Sequence, residues 1–299
     1  MVIELTRPLL SAGHVGNILR LIERISNSEN GSVQLSALIE SGAFTENFLR
    51  TNIANGIHYN WIEQIADSLI IQDDPREYEG ERRIDSKRRM LMDMINYEKP
   101  KWSRFLRNGP TDSFIDRLTT NEKQLFREFG LLTNRGVLSD ENAEKWWYGA
   151  QNLGWDIENE IRADHGKIGE ELSMELEEVR TGLRPIWVSR RDSGAGFDIE
   201  SVQADDGHSK KLIEVKATTS RSVYVTRNEA RVSEDNSENY FFHIWKLNMV
   251  DYRRSLLCIV TADEMMRNFP NNQGDGQWQS VEIPIRTFGD QRFECPFDE

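Results

Sequence analysis

Apolar spacing divides the chain into a helical first half and a second half in which strands alternate with helices. Val15, Ile18, Leu19, Ile22 and Ile25 recur at helical intervals, which predicts a helix with one buried face. Leu35, Leu38 and Ile39 form a second stripe; Ser41-Gly42 interrupts it, and helix resumes over 45–54. Helix, short Gly-containing turn, helix is compatible with a helix-turn-helix module and, more simply, with a small helical bundle. A further helix over 59–71 runs into a short strand, Leu69-Ile70-Ile71, as in a winged helix. The acidic stretch Asp73-Asp74-Pro75-Arg76-Glu77 reads as a connector, and Asn108-Gly109-Pro110 as a break. Two more helices are expected over 120–132 and 139–153, with Trp146, Trp147 and Tyr148 of the second read as core or interface packing. Gly154 reads as a helix end, and a domain boundary is placed between 150 and 158.

The pattern then changes. A long helix is predicted from Glu160 to about Thr181, with Ile161, Ile168, Leu172, Leu176 and Val179 on its apolar stripe. Strands follow over 184–189, 196–200, 212–218 and 222–225, the second and third joined by a polar turn, Ala204 to Ser209. Thr226-Arg227-Asn228-Glu229 carries the capping-box pattern that opens a helix. Strands over 240–247 and 255–261 and a short helix over 262–268 come next, and residues 277–294 return to the sheet edge. The resulting expectation is an all-α N-terminal domain, winged-helix-like in its variant form, over 1–153, and an α/β (α+β) domain with a central mixed sheet over 154–299.

Within that second domain one pair of strands carries chemistry. Ile213, Val215 and Ala217 share a face, and Glu214 and Lys216 share the other, because side chains two apart in a strand point the same way. Phe197 and Ile199 alternate with Asp198 in the preceding strand. Pairing the two apolar faces gathers Asp198, Glu214 and Lys216 on one surface. Two carboxylates and an ammonium so placed can hold a hard divalent cation and orient a water beside it. Taken alone, Glu214-x-Lys216 is an ordinary exposed pair, and Asp85-Ser86-Lys87 has the same spacing without a strand around it.

Composition narrows the classes. The 299 residues are 38% hydrophobic and 29% charged, with no apolar run of the roughly 18 residues a membrane span needs. The start of the sequence has no basic region followed by an apolar core, so a cytoplasmic location is expected. Cys258 and Cys295 make neither a disulfide framework nor a zinc pattern, and His208 and His243 have no second ligand at metal-binding spacing. No phosphate-cradling glycine loop is present. A net charge of −13 argues against non-specific coating of nucleic acid. A local basic stretch from Arg82 to Arg107, with Trp102 in its midst, could still track a phosphate backbone. Arg88, Arg89, Lys101 and Arg104 are its candidate contacts. The competing reading is a helix with Met90, Leu91, Met94 and Ile95 buried and a merely solvated charged face.

The ordered set Gly169-Glu170, Gly196-Phe197-Asp198-Ile199, Ile213-Glu214-Val215-Lys216-Ala217-Thr218, Thr226-Arg227-Asn228-Glu229 and Tyr240-Phe241-Phe242 resembles the PD-(D/E)XK nuclease superfamily. Within it, the likeness is to Mrr-like restriction endonuclease domains and the NO VEIN C-terminal domain. It covers about residues 160–248, with Phe197 where the superfamily formula has proline. The resemblance implies a restriction-endonuclease-like fold in which Asp198, Glu214 and the Val215 carbonyl bind Mg²⁺ or Mn²⁺. Lys216 would position or help deprotonate the attacking water. The family motif points to Glu170 as a further catalytic carboxylate, whereas helical periodicity favours Glu175. Arg227 and Asn228 fall where nucleic acid would be contacted; Asn228 and Glu229 either reach the site or cap their helix, with capping favoured for Glu229. The implied function is a metal-dependent DNA endonuclease in prokaryotic defence, acting as a homodimer and beside a helicase or ATPase. The alternative is a non-catalytic DNA-binding or adaptor protein working through the N-terminal helices.

Overall fold

A computed structural model describes residues 9–28, 31–72, 82–132, 140–203, 208–271 and 277–297. The connector at 73–77, Glu81, Ser139 and the turn residues 204–207 lie outside them. The chain divides into two compact units, Met1–Asn159 and Glu160–Glu299.

In the first unit the stripe Val15, Ile18, Leu19, Ile22 and Ile25 is fully buried on helix α1 (Ala12–Ser26), which Ser11 caps by accepting from the His14 amide. Strand β1 (Ser32–Gln34), helices α2 (Leu35–Glu40) and α3 (Glu46–His58), and strands β2 (Ile62–Ile65) and β3 (Ser68–Ile71) follow. The strands form an antiparallel sheet in the order β1-β3-β2. The all-helical expectation is therefore corrected. The segment read as helix over 59–71 is mostly a hairpin, because isoleucines at 62, 65, 70 and 71 suit a pleated surface. Meanwhile β1 acquires its partner β3 only across the intervening α2, α3 and β2.

Helix α4 (Arg83–Glu98) buries Met90, Leu91, Met94 and Ile95 and ends at Lys99, whose φ of 42° is left-handed, just before Pro100. A 3-10 turn (Ser103–Asn108), α5 (Asp112–Ile115) and α6 (Thr120–Glu128) come next, the last opened by a Thr119/Glu122 capping box. Helix α7 then runs from Glu141 to Thr181 without a break. Gly154 does not end it. A Cβ there would lie 2.4 Å from the Arg107 amide nitrogen, so glycine serves the close approach of the helix to the 3-10 turn. Trp146 and Trp147 are core, whereas Tyr148 is 71% exposed.

The second unit comprises the end of α7, β4 (Ile186–Trp187), β5 (Ile199–Val202), β6 (Lys210–Thr218), β7 (Ser222–Thr226), α8 (Arg227–Asp235), β8 (Tyr240–Lys246), β9 (Leu256–Thr261), α9 (Ala262–Met266) and β10 (Ser280–Pro284). Five strands form a mixed sheet, β4-β5-β6-β8-β9, in which only β6 and β8 are parallel. β7 is not in this sheet; it pairs with β10 in a separate ribbon. Ile199, Ile213, Val215 and Trp245 face α7 at Leu172. Leu212, Tyr240, Phe242, Ile244 and Val260 face the other way, onto Val223, Val225, Ala230 and Met265. The face of α7 that meets the sheet carries Gly169, Leu172, Ser173 and Glu177. Val179, expected on the stripe, is 76% exposed. No helix among the described residues is long and apolar enough to cross a membrane.

Candidate active site on the central sheet

The β5–β6 ladder pairs Ile199 with Ile213. Asp198 lies just before β5, its amide donating to the Ile213 carbonyl at 2.9 Å, and its charge reaches Glu214, with Lys216 two residues further along β6. The Asp198 Oδ2 accepts from the Val215 amide at 2.8 Å, which fixes the carboxylate at the mouth of the pair. Lys216 Nζ lies 2.8 Å from Glu214 Oε1 and 2.6 Å from Glu229 Oε2. Tyr240 stands on the same side, donating its hydroxyl to the Gly196 carbonyl at 2.6 Å. Gly196 itself is left-handed (φ 79°), and a Cβ would meet Val232 at 2.6 Å. Only glycine turns the chain into β5 at this point.

Burial governs the electrostatics. Asp198 is pushed up to about 6, mainly by desolvation and further by Glu170, against the Val215 amide that favours its charge. Glu214 is driven well above the ordinary carboxylate range by burial. Burial works to lower the Lys216 ammonium, but Glu214 and Glu229 outweigh it and hold it above the usual lysine value. Lys216 is a fixed cation. Burial also acts to raise Glu229, yet Lys216 and the Thr226 amide keep it below its ordinary value. The Tyr240 hydroxyl is raised by burial and by Glu214, so it stays a neutral donor.

Glu170 accepts from Trp187 Nε1 and Ser189 Oγ, and its charge reaches Asp198. The rival Glu175 is instead paired with Arg253, away from the pair of carboxylates. Periodicity favoured Glu175 because the buried face of α7 is marked by Gly169, Ser173 and Glu177, residues that an apolar stripe does not count. For Glu229 the sequence left two readings, reaching the site or capping its helix, with capping favoured. It does cap, closing a capping box with Thr226, and the same carboxylate holds Lys216.

The nucleic-acid candidates fare differently. Arg88 is 2% exposed, its guanidinium committed to Asp85, Asp140 and the Phe129 carbonyl. The expectation that it contacts nucleic acid is corrected: a buried, ion-paired arginine does not face a phosphate. Arg89 and Arg104 are half-buried, Arg104 lying over the Phe105 ring, and Lys101 is exposed. Arg82 and Arg83 from the same stretch pair with Asp85, Asp140 and Glu23. Arg227 lies over the Trp278 ring, and Asn228 donates to the Gly194 carbonyl, tying α8 to the loop before β5.

A second polar cluster lies behind the sheet, on the α7 side. Glu177, fully buried, accepts from Lys211 Nζ at 2.8 Å and pairs with Arg180. His243 lies against it, its Nδ1 3.2 Å from Ser173 Oγ, which also accepts from Trp245 Nε1 at 2.7 Å. His243 is completely buried.

The donors around Asp198 and Glu214 are all oxygens, the chemistry of Mg²⁺ or Mn²⁺. Among the described residues no three His, Cys, Asp or Glu side chains are arranged as a ready metal cage. Two carboxylates and the Val215 carbonyl still fit Mg²⁺, which commonly takes one or two protein carboxylates and keeps its waters. Comparison with curated proteins finds no match, and comparison with solved structures finds none. Residues 169–255, which carry Glu170, Asp198, Glu214, Lys216 and Glu229, match the family model described as Protein NO VEIN, C-terminal.

Proposed function

We propose that this chain is a metal-dependent nuclease that hydrolyses phosphodiester bonds in DNA. What supports this reading is that Asp198, at the entry to β5, accepts from the Val215 amide between Glu214 and Lys216 of β6, with Lys216 2.8 Å from Glu214. Mg²⁺ or Mn²⁺ bound there supplies an acidified water and offsets negative charge on the scissile phosphate. Asp198 and Glu214 provide the oxygens that hold it, Asp198 steadied by the Val215 amide. Lys216, kept protonated by its two carboxylates, orients the water and stabilises charge on the pentacovalent phosphorus rather than taking a proton. Glu170, oriented by Trp187 and Ser189, completes the acidic side. Each such centre cuts one strand, so double-strand cleavage calls for a homodimer, which light scattering reads directly. A role in defence against foreign DNA, beside a helicase or ATPase, goes with the family resemblance.

Purified protein with plasmid and Mg²⁺ is expected to nick or linearise the DNA and to stop with EDTA. Asp198→Asn and Lys216→Met should each slow cleavage about a hundredfold or more, the scale of losing one transition-state contact. Equal rates in all three proteins sink the enzyme reading.

The order helix, strand, two helices, hairpin in the first unit is that of a winged helix, which supports a recognition role for it. Its charged residues between 32 and 72 are Glu40, Glu46, Glu63 and Asp67 against Arg50. That balance gives the non-catalytic DNA-binding alternative little electrostatic footing.

A further inference from the structure

Lys216 is held between two carboxylates that come from different elements. Glu214 belongs to β6, two residues away on the same strand face. Glu229 comes from the first turn of α8, where the capping box with Thr226 fixes its position independently of Lys216. The ammonium therefore neutralises one of the carboxylates that a divalent cation needs. A cation approaching Glu214 meets Lys216 already there, and two positive charges cannot share one carboxylate cheaply. Glu229 offers the ammonium a second anchor at 2.6 Å.

Resting on the metal-centre reading above, we propose that Glu229 is a positioning residue that draws Lys216 away from Glu214 as the divalent cation binds. It keeps the ammonium within reach of the phosphate while freeing the glutamate. Glu229 thus sets the affinity for the cation through Lys216, not through direct contact with it.

A double-mutant cycle on Mn²⁺ binding, followed by electron paramagnetic resonance or calorimetry without DNA, separates this from other roles. Gln is accepted at the third position of a capping box, so Glu229→Gln removes the charge and keeps the helix start. In the Lys216 background Glu229→Gln should weaken Mn²⁺ binding about tenfold, roughly the loss of one charge-assisted partner. With Lys216→Met, or Lys216→Gln as a second replacement, the same change should alter binding by less than about twofold, because no ammonium then competes.

An equal loss in both backgrounds would mean that Glu229 acts by its field alone and overturns the proposal. No loss in either background overturns it as well. If Glu229→Gln lowers the melting temperature of the metal-free protein in step with the affinity, Glu229 is only a cap and the proposal fails. Wild-type protein that binds no Mn²⁺, and behaves like Asp198→Asn, removes the metal reading and this proposal together. Wild-type binding with an additive cycle removes this proposal alone.

Discussion

His243 and Glu177 make the clearest statement at the scale of single residues. Burial, with Lys211 adding to it, holds His243 down to about 3. Burial acts to raise Glu177, but Arg180 and Lys211 hold it down to about 2. A histidine lowered in the folded state keeps its full contribution above its unfolded value near 6.5 and loses it as pH falls towards 3. Glu177 adds a loss of the same sign, beginning lower, from about 4.5 down to about 2. His243→Asn should therefore remove about 2 kcal/mol of the stability lost between pH 6.5 and 5, since each pH unit is worth about 1.4 kcal/mol. Urea melts at the two pH values check this; parallel loss in wild type and variant refutes it. Arg88 makes the complementary prediction. Arg88→Ala removes the buried partner of Asp85 and Asp140, leaving them the exposed Arg82, and should cost about 3 kcal/mol of stability, seen as a lowered melting temperature rather than a selective loss of DNA affinity. In a sequence, such an arginine looks like any other in a basic run. Its burial follows from Asp140 and Phe129, which lie far along the chain.

Among the elements, those of the second unit marked by a local pattern were the easiest to foresee. Alternation across 212–218 gave β6 and its two faces, and Thr226 with Glu229 announced the start of α8. Both signals are local: they depend on neighbours within a few residues. The second half of helix α7 was foreseen, with Ile168, Leu172 and Leu176 packed on the sheet, but its continuity through Gly154 was not, and its sheet-facing side also carries Gly169, Ser173 and Glu177. Small and polar residues there serve a close approach and a buried polar cluster, which hydrophobic counting does not see. The pairing of β7 with β10, rather than with the main sheet, was equally hidden, since it joins segments more than fifty residues apart. The close approach can be tested. A Cβ at Gly169 would sit 2.7 Å from the Ala217 Cβ and 3.1 Å from Val215 Cγ1. Gly169→Ala should therefore destabilise by about 1–3 kcal/mol through overpacking, despite the better helix propensity of alanine. A variant that melts at or above the wild-type temperature would show that the helix backs off without cost.

For the molecule as a whole, charge sets the terms on which DNA is met. With a net charge of −13 and Arg82, Arg83 and Arg88 engaged internally, non-specific retention of duplex should be weak at physiological salt. Gel retardation over a salt series reads this; a steep slope, of the kind given by six or more phosphate contacts, would return the basic stretch to a binding role. The ribbon of β7 and β10 bears on how the protein can be divided. The matched segment stops at residue 255, yet β9 covers the flank of β8, and β10 covers β7 immediately before Thr226 begins α8. A fragment trimmed to 169–255 would retain Asp198, Glu214, Lys216 and Glu229 but leave two strands with naked edges. Such a piece is expected to precipitate or bind its own copies, so the smallest workable second unit extends through Pro284 at least.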